Sequence, residues 1–274
     1  MTVFNLLGPL EVRDCTGAQV PLTRRKSRTL LALLLLRAGT NVEVDEMVDA
    51  LWDSRPPPSA RANIYSYISH LRNVLSQAAP EAGARPCSTL SGYRLDLLPG
   101  ECDAQLFEHL AGTGRRALAG GHHALAAEYL ARALGLWRGA ALLGVDGEWV
   151  VPTVARLNHA RLRAFEDHVD SRLLLGQHVE VAIELTATVH RHPLRERLWG
   201  QLMVALHGAG RRVESLQAYD RLCTLLEAEL GIGPSAPLRA LHRAVRCEDR
   251  TLGAGPAEAL RSLRQVSACE AVGA

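Results

Sequence analysis

Hydrophobic and polar positions alternate between Ser59 and Leu75 with the period of an amphipathic helix. The apolar positions at i, i+4, i+7 and i+11 are Ile64, Ile68, Leu71 and Leu75. This spacing places them in one stripe on a helix of about 3.6 residues per turn. Ser59 is a favourable N-cap, and the three prolines before it prevent an upstream helix from continuing. The segment is therefore predicted to be a helix with one buried face.

The opposite face of this helix carries no acidic residue. Its polar residues are Arg61, Asn63, Tyr65, Ser66, Ser69, His70, Arg72 and Asn73. Guanidinium forks, amides and hydroxyls are the groups with which a helix in the major groove reaches base edges and phosphates. A solvated outer face explains the same pattern, so this helix alone leaves DNA binding and simple solvation open.

Short apolar runs precede this helix. Residues 3–22 contain brief apolar segments separated by Gly, Pro and Asp, which predicts a small antiparallel sheet. Thr23 is predicted to cap a leucine-rich helix, and Val44 to Trp52 to form a second, shorter helix. A β-hairpin is predicted around Gly92, closing the domain near Asp96. The order of sheet, three helices and hairpin is that of a winged helix-turn-helix, whose third helix enters the major groove.

The leucine-rich helix has an unusual first turn, which carries Arg24, Arg25, Lys26 and Arg28. Basic residues at a helix N-terminus oppose the macrodipole, so their presence indicates an anionic partner. A solvated basic turn is the alternative. A phosphate backbone is the partner that the winged-helix interpretation favours.

The second half is predicted to be all-α. Helices are expected at about 103–119, 122–137, 152–175, 178–191, 195–208, 211–230 and 235–247. Gly121, Gly176 and Gly210 each begin a similar stretch, and the last two are 34 residues apart, the tetratricopeptide period. Residues 137–157 are predicted to be an inserted loop that interrupts the stack. Stacked helix pairs form a concave surface that binds proteins rather than performing chemistry.

Composition and charge limit the classes of protein to which this chain can belong. The chain has 274 residues and a net charge of +2, and eleven basic against nine acidic residues place this excess in residues 1–97. Any nucleic-acid surface is therefore local. Six cysteines without metal-ligand spacing, no signal peptide and no membrane-length apolar run predict a cytoplasmic protein with reduced thiols and no metal or cofactor. No nucleophile elbow, phosphate loop or convergent carboxylate pair is present, so no catalytic residue is assigned and an enzyme is not expected.

Several segments resemble one family. Residues 22–52 resemble the response-regulator type of winged helix, and the segments that narrow the match are GPLEVRD, ARANIYSYISHLR and SGYRL. ALGLWRGAALLGV, HPLRERLWGQLMVALHGAGRRVESLQAYDR and ELGIGPSAPLRALHRAV are similar to the bacterial transcriptional activation domain of the same proteins. The chain is therefore identified as a member of the SARP family of actinobacterial antibiotic-pathway activators, over roughly residues 3–248.

The resemblance implies a fold and a function. The fold is an α+β N-terminal winged helix-turn-helix, residues 1–97, then an all-α tetratricopeptide-like repeat domain, residues 98–250, and a C-terminal tail, residues 251–274. The implied function is a transcriptional activator of a secondary-metabolite cluster that binds direct repeats in double-stranded promoter DNA, touches a second copy of itself there and recruits RNA polymerase.

The resemblance also assigns residues. Ser66, Tyr67, Ser69 and His70 would contact bases, Arg72 a phosphate, and Arg94 would belong to the wing. The loop that would face polymerase contains Trp52, Asp53, Ser54, Arg55 and Pro56. The alternative from another class is a protein-binding adaptor without DNA specificity. The acid-free helix face and the basic turn distinguish the two, because an adaptor needs neither.

Overall fold

The computed structural model describes residues 4–53, 55–78, 86–247, 260, 262 and 263. The strands are β1 (Phe4–Asn5), β2 (Glu11–Arg13), β3 (Gln19–Val20), β4 (Val42–Glu43), β5 (Cys87–Ser88) and β6 (Gly92–Arg94). The helices are α1 (Arg25–Leu36), α2 (Val44–Trp52), α3 (Ala60–Ala78), α4 (Asp103–Ala119), α5 (His123–Leu134), α6 (Val150–Leu174), α7 (His178–Arg191), α8 (Glu196–Gly208), α9 (Arg212–Leu230) and α10 (Ala236–Cys247). The predicted fold class is confirmed: an α/β winged-helix region precedes an all-helical region.

Two three-stranded antiparallel sheets flank α1 to α3. The first has the order β1-β2-β3, as predicted, and the second has the order β4-β6-β5. Strand β4 was not predicted, because its two residues gain their pairing only from β6, far along the chain. Gly92 permits this pairing, since an added Cβ would lie 1.9 Å from the carbonyl oxygen of Val42. The hairpin β5-β6 is thereby fixed to the start of α2.

Helix α3 buries the stripe that its sequence indicates. Ile64, Ile68, Leu71 and Leu75 are all at most 2% exposed. The carbonyl oxygen of Ser59 accepts the N–H of Asn63 at 2.9 Å, which begins the helix where the proline run ends. The predicted cap of α1 was wrong: Arg24, not Thr23, occupies the N-cap, and it makes no side-chain cap bond.

Three matching turns confirm the internal repetition of the helical part. Gly121, Gly176 and Gly210 have φ of +80°, +81° and +75°, the left-handed region that ends a helix before a tight turn. After each glycine the next N–H bonds to a carbonyl five residues back, as from Gln177 to Arg172 at 3.0 Å. Each turn therefore joins the two helices of one repeat in the same way.

Residues 137–157 are not a loop that merely interrupts the stack. The N–H of Arg138 donates to the carbonyl of Leu7 at 2.7 Å, and the N–H of Leu142 donates to that of Leu6 at 2.8 Å. The indole N–H of Trp149 donates to the carbonyl of Ala50 at 3.1 Å. This segment is therefore hydrogen-bonded to the winged-helix elements, with its N–H groups as donors and their carbonyl oxygens as acceptors.

Contacts divide the chain into two compact units. The first contains residues 1–113 and 131–163, and the second contains 114–130 and 164–274. The segment around Arg138 and Trp149 belongs to the first unit by its contacts, and the domain boundary expected after residue 97 stays a prediction. Most of the expected tail, 251–274, lies outside the described residues. Leu260 and Leu263 are described and buried, and Leu263 lies against Gly200 of α8.

Acidification is expected to destabilise the second unit through His168 of α6. Burial, together with the neighbouring guanidinium of Arg172, holds the pKa of His168 below its ordinary value of 6.5. The unfolded chain therefore binds a proton more readily, and stability falls as the pH drops below about 6.5. The change His168→Gln should remove part of this dependence of the unfolding free energy on pH, as measured by urea titrations between about pH 5.5 and 7.5. The exposed His190 provides the matched control, and equal slopes for both variants would contradict the prediction.

Candidate nucleic-acid interface

One stripe of α3 faces solvent opposite the buried stripe. Its members, called here the exposed stripe, are Ala62, Tyr65, Ser66, Ser69 and Asn73. Ser66 and Ser69 are thus placed as expected. Tyr65 was not among the predicted base contacts, yet its side chain is 54% exposed in the middle of the stripe. The helical period already put Tyr65 on the polar face, which was the signal that could have selected it.

Other residues predicted to contact DNA are half-buried and lie outside the exposed stripe. Tyr67 follows the buried Ile64 by one turn and stacks on Trp52, with ring centroids 6.3 Å apart. The side-chain amide of Asn63 donates to the Ser59 hydroxyl at 3.2 Å. His70 is half-buried. Tyr67 is thus held by packing, and the base contact expected of it stays a prediction.

Arg72 joins α3 to the hairpin β5-β6, which is the wing. Its Nε donates to the carbonyl of Pro86 and one Nη to the hydroxyl of Ser88, both at 2.9 Å. Its guanidinium also lies 5.5 Å from the ring centre of Tyr93. Arg72 therefore helps to position the wing, and the phosphate contact expected of it stays a prediction.

Two other cations near the interface are in exposed ion pairs. Arg61 pairs with Asp45 of α2, and Arg94 pairs with Asp96 at 2.9 Å. The surface is therefore not acid-free as expected from α3 alone, because folding brings Asp45 beside it. Exposed pairs of this kind contribute only about 0–1 kcal/mol, so either arginine can exchange its carboxylate for a phosphate at small cost.

The basic first turn of α1 finds most of its partners inside the first unit. Arg25 pairs with Asp146, and this hydrogen bond raises the pKa of Arg25 and lowers that of Asp146. Lys26 donates to the carbonyl of Leu51, and Arg28 to that of Leu22 at 2.9 Å. Arg25 thus has one anionic partner within the chain, a carboxylate 121 residues away, and the contact of this turn with a phosphate stays a prediction. Arg24 is exposed.

The loop expected to face polymerase is partly occupied. Trp52 lies under Tyr67, with Lys26 over its ring at 5.5 Å. One carboxylate oxygen of Asp53 accepts the N–H of Glu148 at 3.0 Å. Ser54 lies outside the described residues, and Arg55 and Pro56 are exposed. Arg55 and Pro56 are thus the exposed side chains among the described residues of this loop, and its contact with polymerase stays a prediction.

Two other features are absent from the described part of the chain. Among the described residues, no group of three or more His, Cys, Asp or Glu side chains is placed to hold a metal ion. No helix in the described part of the chain is long and apolar enough to cross a membrane.

Two family models match the chain in sequence order. The model "Transcriptional regulatory protein, C terminal" matches residues 17–95, and "Bacterial transcriptional activator domain" matches residues 102–246. Regulatory protein DnrI of Streptomyces peucetius is 39% identical over 248 residues, which cover 88% of this chain and 91% of that protein. Regulatory protein AfsR of Streptomyces coelicolor is 38% identical over 88% of this chain and 24% of its own length.

A solved structure gives the same result. Mycobacterium tuberculosis EmbR, determined in complex with a low-affinity phosphopeptide, has a TM-score of 0.87 and 33% sequence identity. The match covers 98% of this chain and 69% of that chain. Since the two family models, DnrI and EmbR all agree with the winged-helix and helical regions described above, the chain belongs to the SARP family of DNA-binding transcriptional regulators and is not an enzyme.

Proposed function

We propose that this regulator reads direct repeats in promoter DNA with the exposed stripe of α3 and activates transcription of an antibiotic biosynthetic cluster in the cytoplasm. The observation that carries the proposal is the exposed stripe itself. It offers hydroxyls, an amide and one aromatic ring, and it contains no carboxylate that would repel a base edge or a phosphate. Arg61 lies beside it on α3, and Arg24 and Arg94 are further exposed cations of the winged-helix region.

The likeness to DnrI and AfsR, both Streptomyces regulatory proteins, supports the antibiotic assignment. A single winged helix contacts only a few base pairs and binds DNA weakly. Two copies on repeats about one helical turn apart lie on the same face of the DNA and together bind more tightly. The helical region supplies the contacts to the second copy, and it acts with the exposed Arg55 and Pro56 on RNA polymerase. These partners are compatible with the stacked repeats, which form surfaces suited to protein binding.

Mobility-shift measurements distinguish readout from phosphate binding. The change Ser66→Ala is expected to cost about 1–3 kcal/mol on a duplex selected from a random pool by the wild-type protein, with little loss on unselected DNA. Arg61→Ala should weaken both duplexes equally and lower the salt slope by about one, because a phosphate contact releases about one counterion. Thr224→Ala removes an exposed hydroxyl from α9 and serves as the control.

The same selected duplex tests the pairing of copies. A duplex with two repeats should bind cooperatively, and a half-turn insertion of about 5 bp should abolish the cooperativity by moving one copy to the other side of the DNA. Failure of the wild-type protein to enrich any sequence from the pool would refute the proposed DNA readout and favour the adaptor alternative.

A further inference from the structure

The tip of the wing carries a leucine that nothing in the first unit covers. Leu90 lies in the turn between β5 and β6, and its side chain is fully exposed. Single exposed leucines are common on protein surfaces, so exposure alone assigns no role. The conformation of the turn gives this leucine its significance.

The wing turn is fixed on both sides of Leu90. The Thr89 hydroxyl donates to the side-chain carbonyl of Asn41 at 2.6 Å, and the Asn41 amide donates to the Ser91 hydroxyl at 3.0 Å. The N–H of Val44 also donates to the carbonyl of Ser91 at 3.1 Å. A mobile loop could fold its leucine back onto the protein. This turn holds Leu90 outward, where its apolar surface remains in water until a ligand covers it.

The wing tip and the exposed stripe line the same groove. The groove has a volume of about 350 Å³, and its walls include Arg61 and Tyr65 of α3, the Asp45 that pairs with Arg61, and Leu90 and Ser91 of the wing. When the third helix of a winged helix lies in the major groove, the wing reaches the backbone or the adjacent minor groove. Leu90, at the tip of the wing, is therefore placed to contact the DNA before the other side chains of the wing.

The chemistry of the tip favours the minor groove over a phosphate. Residues 88–92 are Ser, Thr, Leu, Ser and Gly, without a cation. The guanidinium of Arg72 is held by Pro86 and Ser88, and that of Arg61, which lines the same groove, is paired with Asp45. Proteins that bind the minor groove often insert an apolar side chain such as leucine against a base step. A rigid, uncharged turn that presents one leucine has this form.

We propose that Leu90 is an apolar wedge that contacts sugars and a base step in the minor groove beside the sequence read by α3. This inference rests on the proposed DNA readout and adds a second determinant of site choice. Such a wedge selects DNA by how easily the base step opens, and not by hydrogen bonds to the base edges. Pyrimidine–purine steps such as TA open more easily than stiff A-tracts, so the base step under the wing affects affinity.

The first test measures affinity and salt dependence on the selected duplex. Leu90→Ala should weaken binding about tenfold, since it removes the burial of most of a leucine side chain. The salt slope should stay unchanged, because no counterion is involved. Leu90→Met should retain most of the affinity, since methionine also serves as a wedge. Leu98→Ala is the matched control, because Leu98 is exposed but does not line the groove.

The second test changes the DNA. Replacing the step beneath the wing, located by hydroxyl-radical footprinting, from TA to AA should weaken wild-type binding and leave Leu90→Ala unaffected. A 2-aminopurine placed at that step should brighten with the wild-type protein and not with the variant. Both variants should melt at the wild-type temperature, because Leu90 makes no buried contact in the folded chain.

Three results would overturn the proposal while the DNA readout itself remains intact. They are equal affinities of wild type and Leu90→Ala, a step dependence that persists in Leu90→Ala, and a loss confined to duplexes with two repeats. The last would place Leu90 against a second copy. Failure of the wild type to select any sequence would instead refute the proposed function on which the wedge depends.

Discussion

Replacing Arg197 by methionine should lower the free energy of unfolding of the helical region by about 3–5 kcal/mol, the usual cost of removing one partner from a buried ion cluster. Arg197 begins the buried part of α8, and its guanidinium contacts three carboxylates of α6. These contacts are Glu166 at 3.1 Å, Asp167 at 2.9 Å and Asp170 at 2.8 Å. Without Arg197 these buried carboxylates lose the cation they share.

The charge state of Arg197 supports the size of this effect. Burial alone would lower the pKa of its guanidinium, but the negative charges of Asp170, Glu166 and Asp167 outweigh burial and raise the pKa above its usual value. Arg197 therefore remains charged in the folded chain at every accessible pH. Its removal leaves negative charge in a place that water does not reach.

Urea unfolding followed by circular dichroism measures the loss, and Arg115→Met provides the matched control. Arg115 contacts the same cluster through Asp167 at 3.0 Å, but its side chain is 45% exposed. The control should cost less than about 1 kcal/mol, as exposed ion pairs do. Equal destabilisation by the two variants would show that the depth of the arginine in the cluster is irrelevant, contrary to this prediction.

The change Asp103→Ala is expected to destabilise the first unit by about 2–4 kcal/mol, because each buried N–H left without an acceptor costs about 1–3 kcal/mol. The Asp103 side chain is only 2% exposed. Its two oxygens accept the backbone N–H groups of Leu6 at 2.6 Å and Leu7 at 3.0 Å. Arg138 lies 3.6 Å from the second oxygen.

Asp103 therefore joins three separate parts of the chain. Burial raises the pKa of its carboxyl, and the Leu6 and Leu7 N–H groups and the Arg138 guanidinium oppose that rise. Asp96→Ala is the control, since Asp96 is exposed and pairs only with Arg94 among the contacts given above. Calorimetry should show the lower melting temperature for Asp103→Ala alone. A melting temperature equal to that of the control would mean that β1 does not depend on this carboxylate.

Features that depend on the short-range spacing of residues were predictable from the sequence. The stripe from Ile64 to Leu75 was predictable because helical spacing and burial of apolar groups act within a few turns. The repeat turns were predictable from Gly121, Gly176 and Gly210, since glycine adopts positive φ at little cost. The same period identified Ser66 and Ser69 as solvent-facing.

Which polar side chains face solvent depends on contacts between elements that are distant in the sequence. Tyr65 and Tyr67 are two residues apart and equally suited to base contact by type, but only Tyr67 meets Trp52. Arg25 finds Asp146 across 121 residues, and Leu6 finds Asp103 across 97. No local pattern encodes such pairings, because they depend on where separate elements meet after folding. The assignment of residues 137–157 to the winged-helix unit, and the rigid outward position of Leu90, follow from these long-range contacts.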